Sequence, residues 1–288
     1  MTRTLPGLAA LILALAGAAP ADDPKADGHA FVGVTFQKNK VVAVSAKGEV
    51  EWEYDAPACL DAWKLPNGNV LVASRGKGIL EVTPDKKVVW SFKPDGETYT
   101  CQRLANGRTL VGDNKNARLI EVDGMGKIVR EVKVDTKAKE HTNIRSARAL
   151  PGDRYLVCQR EDNVVREYDA DGKSVWEHKI NAPMSAVRLP NRNTLIAGYF
   201  GGVVEVDPAR KEVWKFTMKE LPAGAKGQPY GVQRLPNGNT VFAADGTVYE
   251  VTPDKKLVWS KSGPTLAGLF GVHITDVAGD ATKGEVLR

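Results

Sequence analysis

One segment recurs along almost the whole chain, and this self-similarity restricts the fold more than any other feature. Near-copies run WKLPNGNVLVASRGKGILEVTPDKKVVW from Trp63, QRLANGRTLVGDNKNARLIEVDGMGKIVR from Gln102, RALPGDRYLVCQREDNVVREYDADGKSVW from Arg148, VRLPNRNTLIAGYFGGVVEVDPARKEVW from Val187 and QRLPNGNTVFAADGTVYEVTPDKKLVW from Gln233. A sixth, truncated copy ends at Trp52. Aligned on the leucine of the R-L-P-N-G-like turn (Leu65, Leu104, Leu150, Leu189, Leu235), the copies step by 39, 46, 39 and 46 residues. From that leucine to the tryptophan position (Trp90, Arg130, Trp176, Trp214, Trp259) the distance is 25, 26, 26, 25 and 24 residues, so the length differences sit in the connectors.

Each copy reads as four short strands. The first ends at the leucine and turns through a Pro/Asn/Gly cluster, which supplies the backbone angles of a tight hairpin. The second is an alternating β-branched run, the third reads LEV, IEV or VEV, and the fourth KVVW or KEVW. Seven residues before the tryptophan position stand Ser45, Thr83, Asp123, Asp169, Asp207 and Thr252, whose side chains are expected to bond the backbone two residues on and fix the turn between third and fourth strands. No stretch carries a helical period. Six copies of a four-stranded repeat predict an all-β, six-bladed β-propeller over residues 29–279, followed by a tail at 280–288.

The truncated copy offers a second, third and fourth strand at 31–37, 41–45 and 49–54, but no first. Residues 269–277, LFGVHITDV, resemble the PYGVQRL first strand of the last full copy, with no second strand after them. Pairing 270–277 beside 31–37 would complete one blade and close the ring without an unpaired edge.

Residues 1–21 read as an export signal: Arg3, an apolar run from Leu8 to Ala16, then Ala19-Pro20-Ala21 with small residues around the cleavage point. The run is too short for a membrane span of about 20 residues. Residues 22–28 form a polar lead-in, and the expected mature protein is periplasmic or extracellular, without a transmembrane segment, and a monomer. The net charge of +5 is spread over interleaved acids and bases, which argues against nucleic acid as a partner. Cys59, Cys101 and Cys158 cannot all pair and show no C-x-x-C spacing, so buried thiols are expected, with a Cys59–Cys101 bridge as the alternative.

With the repeat in view, the chain resembles the PQQ-like β-propeller repeat proteins over about residues 29–279, and its R-L-P-N-G-N-T-L turn is similar to repeats of arylsulfotransferase-like propellers. The quinoprotein repeat D-x-x-T-G-K-x-x-W is matched most nearly by Asp169 to Trp176, and its tryptophan, which in that family packs between blades, has counterparts at Trp52, Trp90, Trp214 and Trp259. The resemblance implies a propeller. It also raises PQQ with Ca²⁺ as a cofactor, although the eight-bladed dehydrogenases of that family need far more chain and no counterpart of their calcium-binding and catalytic carboxylate segments is present. The W-D dipeptide of WD40 blades is missing.

In a repeat protein a residue present in every blade is explained by the blade, so function is sought in the departures. A glutamate nine before the tryptophan position (Glu81, Glu121, Glu167, Glu205, Glu250) could ring the axis as a cation site. The recurring Lys64, Arg103, Arg188 and Arg234 favour structural pairing instead, and no metal site is expected. The long connectors, 131–143 and 217–229, share one face with the loops between second and third strands, and any site is assigned to this varied face unless its loops vary merely because they are solvated. A second departure is the entry to the channel-lining first strand, where Asp61, Tyr99, Thr100, Arg145, Ser146, Ser185 and Tyr230 stand four or five residues before the anchor position, with Arg148 nearby. They would form a narrow polar mouth, with Arg145 and His141 able to take an anionic group.

The leading expectation is thus a non-catalytic binding or scaffold propeller for a protein or glycan, with no cofactor. The alternative is an arylsulfotransferase-like or lactonase-like enzyme: the former resemblance implies a channel histidine nucleophile, for which His141 and His273 are the candidates. A PQQ-dependent oxidoreductase is the third reading. No G-x-S-x-G, H-E-x-x-H or Walker A pattern is present.

Overall fold

The computed structural model describes residues 28–138, 143–222, 225 and 227–288. The expected export signal, nearly all of the lead-in and His141 lie outside them. Six antiparallel four-stranded sheets form the predicted propeller. The first blade comprises Leu269–Ile274, Phe31–Thr35, Lys40–Val44 and Val50–Asp55; the second Cys59–Lys64, Val70–Ser74, Gly78–Val82 and Val88–Phe92; the third Cys101–Arg103, Thr109–Asp113, Arg118–Val122 and Ile128–Lys133. The fourth has Ser146–Leu150, Arg154–Gln159, Val164–Tyr168 and Ser174–Lys179; the fifth Pro183–Arg188, Thr194–Gly198, Gly202–Val206 and Glu212–Phe216; the sixth Pro229–Arg234, Thr240–Ala244, Thr247–Val251 and Leu257–Ser262. No described helix is long and apolar enough to cross a membrane.

Ring closure follows the sequence pattern: Leu269–Ile274 pairs with Phe31–Thr35, Val272 opposite Gly33 and Gly271 opposite Val34. The second and third strands of each blade are buried on both faces because sheets cover them on either side, whereas the fourth alternates toward solvent. His29 fastens this closure, its Nε2 3.0 Å from Glu250 of the sixth blade and its Nδ1 3.0 Å from Asp276.

The seams between blades explain the recurrent glutamate. Glu81 receives Arg103 Nη2 of the following blade at 2.7 Å, Glu205 receives Arg234 Nη2 at 2.8 Å, and Glu167 receives Arg188. The same arginines lie over the tryptophans, with Arg103 5.1 Å from the Trp90 ring, Arg188 5.0 Å from Trp176 and Arg234 6.0 Å from Trp214. Lys64 departs from its expected role and donates to Gly68 O instead. Its seam faces the first blade, where Ala43 occupies the glutamate slot.

The turn residues also act differently from expectation. All six accept from the amide four residues on, as in Thr83 from Lys87 N at 3.0 Å and Asp207 from Lys211 N at 2.9 Å. Only Asp123 and Asp169 also accept from the amide two residues on. The cause is a left-handed residue three after the cap, such as Lys86 at φ 67° or Gly126 at φ 84°, which swings the later amide inward.

Candidate functional site

First strands run from the loop-rich face, where second-to-third loops and blade connectors emerge, to the face of tight turns. Their side chains alternate, so a position two before the anchor leucine faces the next blade near the axis. There Gln102 Oε1 accepts from Ala149 N at 2.9 Å, Gln233 Oε1 from Ile274 N at 2.9 Å, and His273 Nδ1 from Lys64 N at 3.0 Å. His273 therefore fills a glutamine's place as a strut between blades. Burial, with Arg288 and Arg148 nearby, holds it well below the usual histidine range, so it is neutral with its proton on Nε2.

In the fourth blade this same position is Arg148, which gives the channel its charge. Its Nη1 donates to Asp61 Oδ2 at 2.9 Å, and its Nε to Arg288 O at 2.8 Å. Arg288 enters from the tight-turn face: residues 280–288 cross that face, bridge to the sixth blade through Arg234 N and Leu287 O, and place the Arg288 guanidinium on Asp61 Oδ1 at 3.2 Å and Ala62 O at 2.6 Å. Asp61 also accepts from Thr100 Oγ1 at 3.2 Å and Cys101 N at 3.3 Å. Although burial opposes ionisation, Arg148 and Arg288 hold Asp61 below the usual carboxylate range. Arg288 had no repeat partner to mark it, so its part in the channel was not readable from spacing.

Above this network Asp61, Tyr99, Arg145, Ser146, Arg148, Ser185 and Tyr230 line one cavity of about 20 Å³. Thr100 stands behind them, bonded to Asp61 and to Arg148 Nη1 at 3.1 Å. The sequence-predicted residues are thus brought together, except His141, which lies outside the described residues, and His273, which faces a seam. Tyr99 donates to Glu97, and burial first, then that carboxylate, raises its hydroxyl above the usual range. Burial pushes Arg145 down to about 10, leaving it charged at neutral pH.

Around the mouth five aromatic rings form a continuous arc on the loop-rich face. Phe36 stacks on Phe270 at 5.1 Å, Phe270 on Tyr230 at 4.0 Å, and Tyr199 meets Tyr230 edge-on at 5.5 Å and Phe200 at 4.6 Å. Phe200 is 65% exposed. A larger cavity, about 740 Å³, lies on the opposite face between the turns of the third to fifth blades and residues 282–288. Its Arg154 and Arg188 are both held by Glu167.

Among the described residues no group of three or more His, Cys, Asp or Glu is gathered to hold a metal, and Cys59, Cys101 and Cys158 are free and buried. PQQ does not fit the channel: a tricyclic tricarboxylate exceeds a cavity of about 20 Å³ whose one carboxylate is engaged by two guanidiniums.

Comparison with known proteins agrees with the architecture. A protein of unknown function from Bacteroides caccae superposes with a TM-score of 0.74 at 19% identity, covering 85% of this chain and 98% of that one. A catalytically inactive virginiamycin B lyase from Staphylococcus aureus with quinupristin gives 0.57 at 13% identity, covering 81% and 84%. The WD40 propeller domain of Doa1 gives 0.60 at 13% identity, covering 82% and 80%. These likenesses show the fold alone. No curated protein matches the chain. Residues 37–195, more than half of the sequence, match the PQQ-like propeller family described as outer membrane protein assembly factor BamB, and the chain belongs to that family.

Proposed function

We propose that this protein is a non-catalytic binding propeller that docks a partner protein on its loop-rich face. The observation that carries this reading is the aromatic arc from Phe36 to Phe200, which spans three blades. Tyrosine and phenylalanine presented on rigid β-scaffolds supply contact area at little conformational cost, and such residues concentrate at the centres of protein interfaces. The family's description as an assembly factor points the same way, since propellers of this type often bind proteins. The cavity on the tight-turn face is larger, but its paired arginines give it less to offer a partner. Histidine chemistry in the channel is disfavoured by the engagement of His273 Nδ1 with Lys64 N. The leader-like residues 1–21 favour an extracytoplasmic setting for the partner.

The test is a photo-cross-linking amino acid placed at residue 200, in the full chain in its native host, with residue 258 on an outer strand as control. One discrete protein adduct at residue 200, absent at 258 and lost on Tyr199→Ala with Phe36→Ala, is expected. A residue 200 adduct pattern identical to that at 258 would overturn the reading.

A further inference from the structure

Three donors at the channel mouth have no partner among the described residues. Arg145 is 6% exposed, yet its guanidinium makes no hydrogen bond or ion pair with any described residue. The hydroxyls of Ser146 and Ser185 are fully buried and without a hydrogen-bond partner among the described residues, whereas the Arg145 guanidinium keeps contact with the cavity. All three line the same cavity of about 20 Å³. Buried polar groups are satisfied in the great majority of cases, and a buried charge left alone costs far more than a lone hydroxyl, so such a convergence marks a place where something polar belongs.

No described residue supplies it. Asp61, the carboxylate nearest by charge, already receives Arg148 Nη1, Arg288 Nη2, Thr100 Oγ1 and Cys101 N, which fills the roughly four acceptor positions a carboxylate offers. Three guanidiniums thus face one carboxylate side chain, and Arg145 is the one left over. Water alone would satisfy the serines but would not neutralise the guanidinium.

We propose that the channel mouth is a carboxylate-binding site, with Arg145 as its anchor and Ser146 and Ser185 as flanking donors. A planar carboxylate matches the guanidinium fork, and because the cavity has room for little more than one water, a head group would reach in only partly from the mouth, which suits a flat two-oxygen edge better than a bulkier tetrahedral oxyanion. The remainder of the ligand would extend toward the loop-rich face, so the carboxylate belongs either to a small free acid or to an acidic side chain. The site stands on the channel geometry and does not depend on the protein-docking reading.

The experiment is a melting series of the full chain at constant ionic strength, with chloride replaced stepwise by formate, acetate, a blocked glutamate peptide, or sulfate. Formate and acetate are expected to raise the melting temperature progressively and by more than they raise that of Arg145→Met, whereas sulfate, which stabilises folded proteins generally by exclusion from their surface, should shift both proteins equally. A larger shift with the blocked glutamate peptide assigns the site to an acidic side chain, and a smaller one to a free acid. Arg145→Met should abolish the excess carboxylate response and melt no lower than the wild type in carboxylate-free buffer, because it removes an unpaired buried charge. Titration calorimetry of formate into the wild type is the second measurement, should the variant not fold. An equal carboxylate response in Arg145→Met, or no heat and no shift in the wild type, overturns the site and leaves water as its occupant.

Discussion

His273 and Gln233 occupy the same position in successive first strands and accept the same kind of backbone amide, from Lys64 and Ile274 respectively. The substitution His273→Gln should therefore preserve the fold at neutral pH. It should also change the acid response. A histidine whose folded pKa lies below its unfolded value of about 6.5 contributes stability that is complete above 6.5 and is lost as pH falls. The glutamine variant is expected to resist acid unfolding better than the wild type as pH falls below about 6.5, a comparison made by urea titration at each pH. His29 behaves oppositely. Burial lowers its pKa, but hydrogen bonds to Glu250 and Asp276 outweigh this and raise it above 6.5. Its contribution is complete below 6.5 and lost as pH rises through the folded value, so His29→Ala should flatten the alkaline side of the same curve. At this scale the sequence was partly legible. Counting back from the anchor leucine put Asp61, Arg145, Ser146 and Ser185 at the entry to the first strand, and all four line one cavity there, because every copy shares one strand direction. Spacing could not show that His273 is a strut, since that depends on which neighbouring amide lacks a partner.

At the scale of the strand and turn, three of the six seams join a glutamate and tryptophan from one blade to an arginine from the next. Breaking the Glu205–Arg234 pair with Glu205→Ala leaves a largely buried guanidinium without its carboxylate, and should cost about 3 kcal/mol in denaturant unfolding. Adding Arg234→Met should recover part of the loss, which a double-mutant cycle measures. Lys64→Arg should gain nothing, because Ala43 faces that seam. The seam between third and fourth blades shows the same logic with other residues. Arg130 replaces tryptophan, Ala149 replaces arginine, and Tyr155 Oη donates to Glu121 at 2.6 Å in the missing arginine's stead. The turns offer a separate test. Lys86, Arg210 and Lys255 hold left-handed φ values of 67°, 74° and 66° where other copies have glycine. Glycine there relieves backbone strain while adding unfolded-state freedom, and each replacement should stabilise by about 0.5 kcal/mol by thermal unfolding. Strand order was readable from the repeat, and the expected bounds fall within about three residues of those observed, the closing strand ending at Ile274 rather than 277. The reach of the turn caps was not, because a left-handed lysine carries no sign in the sequence as a glycine does.

Over the whole molecule, two segments far apart in sequence from their partners hold the ring. Residues 269–274 supply the first blade's inner strand, and residues 280–288 cross the tight-turn face. Deleting 280–288 removes Arg288 from Asp61 and should lower the melting temperature while all six blades persist, as circular dichroism would show. Deleting from 269 onward exposes the Phe31–Thr35 edge and should abolish cooperative unfolding and produce aggregates in size-exclusion chromatography. The closing strand was legible because it repeats a pattern. The course of 280–288 was not, because it belongs to no copy. Seated on Asp61 and Ala62, Arg288 gives the proposed site a floor on the tight-turn side. A ligand beside Arg145 would come and go past Tyr230 and Phe270, which line the same cavity. A protein resting on those rings would hold the occupant beneath it, and release would follow a last-in, first-out order.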